Sequence, residues 1–197
     1  MKTKRVAIAA VAVVAALSLA GCASMQAAPA PSVQKLGATS VRYNGPEAEI
    51  AISYRFANTN LGEPWLVLET GITGRTGETV EIERDKVFLI TPDGTRVPLM
   101  SQKEFAESYN EMRAFLQRAA IASEPLDYWV GRVSRPLGFF AVPGVELAFD
   151  TASVNNLQVL YGPIYFYLPN GLQKGTYQLG IDLTESKIRI PFEITGS

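Results

Sequence analysis

Apolar and polar residues alternate along many short stretches of this chain, as they do in β-strands that bury one face. From Ile50 to Phe56, for example, every second side chain is apolar. Similar stretches recur with turn residues between them: WLVLETGI (65–72), TVEIERDKVFLI (79–90), VELAF (145–149), LQVLYGPIYFYL (157–168), GTYQLGIDLT (175–184) and KIRIPFEI (187–194). With shorter segments included, the pattern predicts about eleven strands and favours a mainly β fold, an antiparallel β-sandwich.

Turn sequences indicate how neighbouring strands connect. TPDGTRVPL (91–99) places a Pro-Asp-Gly turn between two strands and predicts a hairpin. A second hairpin, GTYQLGIDLTESKIRIPFEI (175–194), lies near the C-terminus. This hairpin and the strand rhythm resemble immunoglobulin-like modules of bacterial envelope proteins, which implies an immunoglobulin-like sandwich. The paired cysteines of true immunoglobulin domains are absent, so the resemblance assigns no functional residue.

One stretch departs from the strand pattern and repeats with the period of an α-helix. Ser101 followed by Glu104 forms the S-x-x-E sequence of a capping box, which predicts Ser101 as the N-cap. An apolar stripe follows at spacings of three and four residues, and it comprises Phe105, Tyr109, Met112, Leu116 and Ala119. We expect one amphipathic helix from about residue 102 to 122, inserted between strands and covering an open end or edge of the sandwich.

The first 21 residues have the layout of a bacterial secretion signal, with basic residues followed by a short apolar run. Residues 6–19 are apolar apart from Ser18. A helix of this length spans roughly 21 Å and falls short of the ~30 Å hydrocarbon core of a bilayer. The run therefore favours a cleaved signal peptide, residues 1–21, over a membrane-spanning helix.

The run ends in Leu19-Ala20-Gly21-Cys22, which resembles the lipobox of bacterial lipoproteins. The resemblance implies cleavage before Cys22, a diacylglyceryl thioether on its sulfur and acylation of the new N-terminus. In Gram-negative members an aspartate after the cysteine favours retention in the inner membrane, so Ala23 implies the outer membrane. The alternative is an ordinary secretory peptide with a chance cysteine.

Residues 22–38 are expected to form the lipidated cysteine and a flexible tether. The stretch ASMQAAPAPSVQ (23–34) is uncharged and rich in small residues and proline, which is typical of a linker. Residues 39–197 then form a single β-sandwich domain that contains the helix. The lipid anchor at Cys22 makes the membrane the first expected partner of this domain.

The residue inventory excludes most catalytic sites. The chain has no histidine, and its one cysteine is Cys22. Nucleophiles that need a histidine base, H-E-x-x-H metalloprotease sites and zinc sites of Cys and His are therefore excluded. We expect no catalytic residue, no metal and no cofactor. The signal peptide holds three basic and no acidic residues, so a chain with 18 Lys+Arg and 19 Asp+Glu keeps a net charge of −4 after cleavage, which argues against a nucleic-acid partner.

Aromatic and arginine side chains are concentrated in residues 127–140, and both types anchor protein interfaces. The candidate binding surface in this segment comprises Tyr128, Trp129, Arg132, Arg135, Phe139 and Phe140. The alternative is that these aromatics fill the core beside the helix. The helix stripe of Phe105, Tyr109, Met112 and Leu116 has two interpretations as well, packing against the sheet or forming a groove for a partner.

Three acidic residues, Glu81, Glu83 and Asp85, fall on one side of the strand predicted over 79–90. Carboxylates two residues apart on a strand lie about 6.5–7 Å apart, close to the separation in some glycoside hydrolases. No aromatic lining accompanies them, and a solvated strand face is the simpler interpretation.

These observations leave three hypotheses for the function. The preferred one is a non-enzymatic lipoprotein that binds an envelope protein or assists an envelope assembly through the aromatic segment and the helix. The second is a lipoprotein that binds a glycan or a lipid, and the third is a carboxylate-dependent glycan hydrolase.

Overall fold

The computed structural model describes residues 30–145 and 147–196. The predicted signal peptide and Cys22 lie outside the described residues. The described residues contain twelve strands: β1 Ser32–Lys35, β2 Ser40–Asn44, β3 Ala48–Ser53, β4 Trp65–Gly74, β5 Val80–Glu83, β6 Val87–Ile90, β7 Arg96–Pro98, β8 Val133–Pro136, β9 Thr151–Val154, β10 Gln158–Tyr167, β11 Gly175–Asp182 and β12 Lys187–Ile194. Two α-helices accompany them, α1 Arg55–Asn58 and α2 Gln102–Ala122. The mainly β prediction is confirmed.

The strands form three sheets. The largest has six strands in the order β1-β2-β3-β4-β10-β8, and the others have the orders β12-β11-β6-β7 and β5-β9. Pairing is antiparallel everywhere except between β8 and β10, which run parallel. Both predicted hairpins are present, since β6 pairs with β7 and β11 pairs with β12 over its full length. Residues 32–35 of the predicted tether form β1, an exposed edge strand held by its pairing with β2.

The main core joins the six-stranded and four-stranded sheets. Its members include Ile50, Ile52, Leu68, Ile164 and Phe166 from the first sheet, and Leu89, Leu179, Ile188 and Phe192 from the second. The intervening residues of the six-stranded sheet point to its opposite face and are buried there too, in two smaller clusters. Because β3 and β10 are buried on both sides, their sequences combine large apolar residues with a broken alternation.

Helix α2 begins and ends where the sequence pattern predicts, and the capping box at Ser101 is formed. The Ser101 hydroxyl accepts from the Glu104 amide at 3.1 Å, and the Glu104 carboxylate accepts from the Ser101 amide at 2.7 Å. The helix packs on the outer face of the six-stranded sheet, against Val67 and Tyr165. It therefore covers a face of the sheet, where the sequence analysis expected an end or an edge, because that face carries large apolar side chains of its own.

Three strand predictions need correction. The alternation from Ile50 to Phe56 ends at Ser53, where the chain enters α1 and Phe56 packs against Phe115 with ring centroids 5.0 Å apart. Residues 79–90 divide into β5, a 3₁₀ turn over Arg84–Lys86 and β6, because β5 pairs with β9 and β6 pairs with β11.

The third correction concerns VELAF (145–149), which lies outside the strands. The neighbouring strand is β9, which begins at Thr151. A local turn accounts for the difference. Gly144 has a φ of 78°, and the Val145 amide donates to the Val142 carbonyl at 3.1 Å, so the backbone cannot extend there.

Candidate functional site

The first part of the aromatic segment covers the outer face of the six-stranded sheet. Leu126 and Trp129 pack there against Ala51 and Val159, and Tyr128 lies partly buried beside them. Trp129 is 5 % exposed, and its ring centroid is 6.2 Å from that of Tyr161. We call residues 123–132 the covering segment. The core interpretation of Trp129 is therefore the one that the structure supports.

A buried ionic network holds the covering segment in place. Trp129 Nε1 donates to a Glu49 oxygen at 2.8 Å, and Arg42 and Arg75 both form ion pairs with the same carboxylate. The Arg42 guanidinium also lies 5.4 Å from the Trp129 ring centroid. Burial alone would raise the pKa of Glu49, but the hydrogen bonds from Trp129, Arg42 and Arg75 outweigh it and lower this pKa to about 2. Glu49 is therefore ionised at any physiological pH.

The remaining residues of the aromatic segment have separate surroundings. Arg132 donates to the Thr73 hydroxyl at the end of β4, and Arg135 is exposed on β8. Phe139 is 1 % exposed and belongs to the main core. Phe140 is half-buried and contacts both the main core and the cluster between α2 and the six-stranded sheet. The six candidate residues thus do not form one surface.

The residues of the helix stripe differ in burial. Phe105 and Met112 are buried against the sheet, together with Phe115, which the sequence analysis did not include in the stripe. Tyr109 and Leu116 are partly exposed and line a cleft beside the helix. Packing therefore uses one side of the stripe and leaves the other side open.

An apolar cleft of about 530 Å³ lies between α2, β10 and the loop that follows β8. We call it the aromatic cleft. Its lining is formed by Phe105, Tyr109, Leu116, Pro136, Leu137, Gly138, Phe139, Phe140, Ala141, Val142, Leu147, Phe149, Tyr161, Gly162, Pro163 and Tyr165. None of these described lining residues is charged. The cleft brings together Phe139 and Phe140 from the aromatic segment and three residues of the helix stripe, Phe105, Tyr109 and Leu116.

Three rings that contact one another form a single cluster at the cleft. Phe105 stacks on Tyr165 with centroids 5.2 Å apart, and Phe140 meets the Tyr165 ring edge to face at 4.9 Å. Burial, with smaller contributions from Glu69 and Tyr109, raises the pKa of Tyr165 well above its usual value of 10. The described lining of the cleft therefore offers aromatic surface and the neutral phenol of Tyr165.

The outer wall of the cleft is a closed loop, residues 137–149, which we call the lip loop. The Phe149 amide donates to the Gly138 carbonyl at 2.8 Å and joins the two ends of the loop. The Gln102 side chain bonds both backbone groups of Ala141, donating at 2.7 Å and accepting at 3.0 Å. Gly138 has a φ of 71°, and a Cβ there would come within 3.1 Å of the Phe149 ring.

Arg84 holds the C-terminal end of the lip loop. Its guanidinium donates to the Phe149 carbonyl at 2.8 Å, pairs with Asp150 at 3.1 Å and lies 5.2 Å from the Phe140 ring centroid. Burial lowers the pKa of Arg84, and the Asp150 carboxylate partly offsets this. With these contacts, the buried Arg84 side chain helps to hold this end of the lip loop.

Large apolar side chains project from this ordered loop into solvent. The apolar lip comprises Val142, Val145, Leu147 and Phe149. Val145, Leu147 and Phe149 are 73 %, 83 % and 59 % exposed. Contiguous exposed apolar side chains on a soluble surface mark a site of interaction. The sequence analysis missed this surface because VELAF has the composition of a strand, although the proline and glycine at 143 and 144 could have indicated a turn.

The acidic row is not assembled in the structure. Glu81 and Glu83 lie exposed on β5, whereas Asp85 belongs to the 3₁₀ turn. Another carboxylate, Glu69 on β4, has a pKa raised by burial. Within residues 30–145 and 147–196, no group of three or more acidic, histidine or cysteine side chains is placed to hold a metal ion. Among these same residues no helix is long and apolar enough to cross a membrane.

Comparisons with known proteins give one distant structural likeness. No protein-family model matches the chain, and no curated protein sequence matches it either. The crystal structure of the yjhA protein from Bacillus subtilis aligns over 83 % of this chain and 96 % of its own, with 10 % sequence identity and a TM-score of 0.39. At that level of similarity the match carries no argument about function.

Proposed function

We propose that this protein is a non-enzymatic, lipid-anchored module of the bacterial cell envelope that binds an acyl chain of a lipid in its aromatic cleft. The observation that carries the proposal is the composition of the cleft, whose described lining residues are apolar or aromatic and include none that is charged. Ligand sites of about 300–1,000 Å³ with mainly apolar walls are typical of small-molecule binding. A cleft of about 530 Å³ falls within that range.

The choice of a lipid over a glycan follows from the polar groups at the cleft. Each sugar hydroxyl that is buried needs a hydrogen-bond partner, and an unpaired one is costly. Among the described side chains that line the cleft, the only polar groups are tyrosine hydroxyls. An acyl chain needs no partner and gains from contact with Phe105, Phe140 and Tyr165.

Protein binding through the same surface is the second candidate. It is favoured by the exposed apolar lip, which has the character of an interface patch. The hypothesis of a protein partner depends on exposed aromatic and arginine side chains in the aromatic segment. Burial of Trp129 and Phe139 removes two of them, so the balance moves to the lipid.

The anchoring and the fold complete the proposal. The lipobox-like sequence at Leu19–Cys22 supports anchoring of the domain to the membrane through Cys22, at the outer membrane if the organism is Gram-negative. We further infer that the two larger sheets pack as an immunoglobulin-like β-sandwich, which is supported by the core that they share. The lack of histidine supports a role in binding over catalysis.

The test is saturable binding of a fluorescent long-chain fatty acid to the mature chain carrying Cys22→Ala, which has no acyl chains of its own. Leu116→Glu puts a charge into the cleft and is expected to weaken binding at least about tenfold, because a buried carboxylate lacks a partner there. Gln117→Glu adds the same charge at the next, exposed position of α2 and is the matched control.

Equal affinity in the two variants, or no saturable binding in the unmodified cleft, would contradict the proposal. A photoreactive residue at Leu116 in intact cells separates the two candidates. A lipid adduct supports acyl binding, and a discrete protein adduct favours the second candidate. Ala114, exposed on the same helix, is the control position for this experiment.

A further inference from the structure

The apolar lip has more exposed apolar surface than the cleft requires. Val145 and Leu147 are 73 % and 83 % exposed, although only Leu147 is among the residues that line the cleft. Acyl binding inside the cleft would leave Val145 in water. The lip therefore needs an explanation that goes beyond the proposed function.

Hydrogen bonds restrain the lip loop at several described positions. The Phe149 amide donates to the Gly138 carbonyl, the Gln102 side chain donates to the Ala141 carbonyl, and Arg84 donates to the Phe149 carbonyl. Because the backbone is held at these positions, less conformational entropy is lost when the apolar side chains of the loop bind a partner. Apolar side chains presented in this way are suited to insertion into a lipid bilayer.

The composition of the loop favours a lipid surface over a protein. Residues 137–149 contain no tryptophan, tyrosine or arginine, the residues that dominate protein interfaces. They contain aliphatic residues and phenylalanine, which are the side chains that interfacial membrane segments bury about 5–10 Å deep. Glu146 is the one ionisable residue among them, and Asp150 follows, so the loop has no basic group to attract anionic headgroups.

The predicted anchor brings this surface within reach of a bilayer. β1 begins ten positions after the predicted lipid attachment at Cys22, and an extended chain over those ten positions spans about 35 Å. The six-stranded sheet is about 24 Å wide from β1 to β8 at the usual spacing of strands. A short tether keeps the domain at a high effective concentration near the membrane. A second contact that is weak by itself can therefore still strengthen membrane binding.

We infer that the apolar lip, at Val142, Val145, Leu147 and Phe149, inserts into the surface of a zwitterionic lipid bilayer as a second membrane contact beside the lipid at Cys22. Val142, Leu147 and Phe149 also line the aromatic cleft, so insertion of the lip brings the cleft to the bilayer surface. The contact depends on apolar burial, and it is therefore insensitive to salt.

The test places an environment-sensitive fluorophore on the lipidated protein in phosphatidylcholine vesicles. Cys22 has no free thiol after lipidation, so Val145→Cys or Leu147→Cys supplies the one reactive group. We expect a blue shift of the emission and quenching, at least about twofold, by lipids with a nitroxide near the headgroup. Both effects persist when the salt concentration is raised from about 0.05 to about 0.5 M.

Glu185→Cys, exposed in the turn between β11 and β12, is the control and stays in water. Leu147→Asp changes a side chain that is mostly exposed, so the fold is kept, and it is expected to return the Val145 probe to water. Probes at 145 and 147 that are as hydrated as the probe at 185 would overturn the inference. A hydrated lip with acyl binding in the cleft overturns this inference alone, and an inserted lip with an empty cleft overturns the proposed function alone.

Discussion

Trp129 and Glu49 join the covering segment to the six-stranded sheet through one buried hydrogen bond of 2.8 Å. A tryptophan close to arginines in the sequence is typical of a protein interface. A tryptophan is equally common in a protein core, where its indole N–H finds a hydrogen-bond acceptor. Here the acceptor is 80 residues away along the chain. Whether Trp129 is buried or exposed therefore depends on Glu49, and the sequence around Trp129 does not indicate that contact.

Glu49 makes the stability of this protein depend on pH. Its pKa is about 2 in the folded protein and near 4.5 when the chain is unfolded, so its ionisation stabilises the fold above about pH 4.5. This contribution is lost as the pH falls from about 4.5 toward 2. Urea unfolding at neutral pH and near pH 3 should show the decline. Glu49→Gln is expected to reduce the free energy of unfolding at neutral pH by about 2 kcal/mol and to flatten its pH dependence.

The control is Glu185→Gln, which removes an exposed carboxylate and should match the parent protein at both pH values. If Glu49→Gln kept the full acid sensitivity of the parent, the network around Trp129 would not be its source.

Helix α2 shows how much of one element is decided locally. The capping box fixes its start and the apolar stripe predicts part of its buried side, because both depend on residues three and four positions apart. Phe115 is buried as well, although it lies outside the predicted stripe. The lip loop shows the opposite case. Its shape depends on Gln102 and Arg84, which are distant in sequence, and its apolar composition alone resembled a strand.

Ser101→Ala tests the local part of this argument. Loss of the N-cap hydroxyl leaves the Glu104 amide without its acceptor and should lower the free energy of unfolding by about 1 kcal/mol. Ser123→Ala, at the exposed C-cap of the same helix, is the control and should change it by less than about 0.5 kcal/mol. Urea midpoints at a constant m-value measure both. Equal effects at the two ends of α2 would show that the cap does not stabilise the helix.

The molecule as a whole brings together a site that no single element contains. The aromatic cleft takes one wall from α2, one from the lip loop and one from β10. The proposed membrane role adds the predicted anchor at Cys22 to this arrangement. If both are right, the domain is held at the bilayer by lipid and presents its apolar lip to that surface.

Cys22→Ala is expected to release the protein from the membrane fraction, because a thioether to lipid cannot form without the sulfur. The far-ultraviolet circular dichroism of the released protein should match that of the parent. Cell fractionation measures the first effect, and Ser24→Ala is the control that stays attached. Membrane attachment that survives Cys22→Ala would contradict the lipobox interpretation.

The sequence by itself determined the mainly β class, the two hairpins, helix α2 with its cap and the lack of histidine chemistry. These features depend on short-range periodicity, on turn residues and on composition. Each of them can be recognised in a short stretch of sequence without knowledge of the rest of the chain. Only the tertiary structure decided that β3 and β10 are buried on both faces, that Trp129 is core and that the lip is exposed. Each of these is a contact between segments that lie tens of residues apart, so burial and exposure at those positions follow from packing and not from the residues alone.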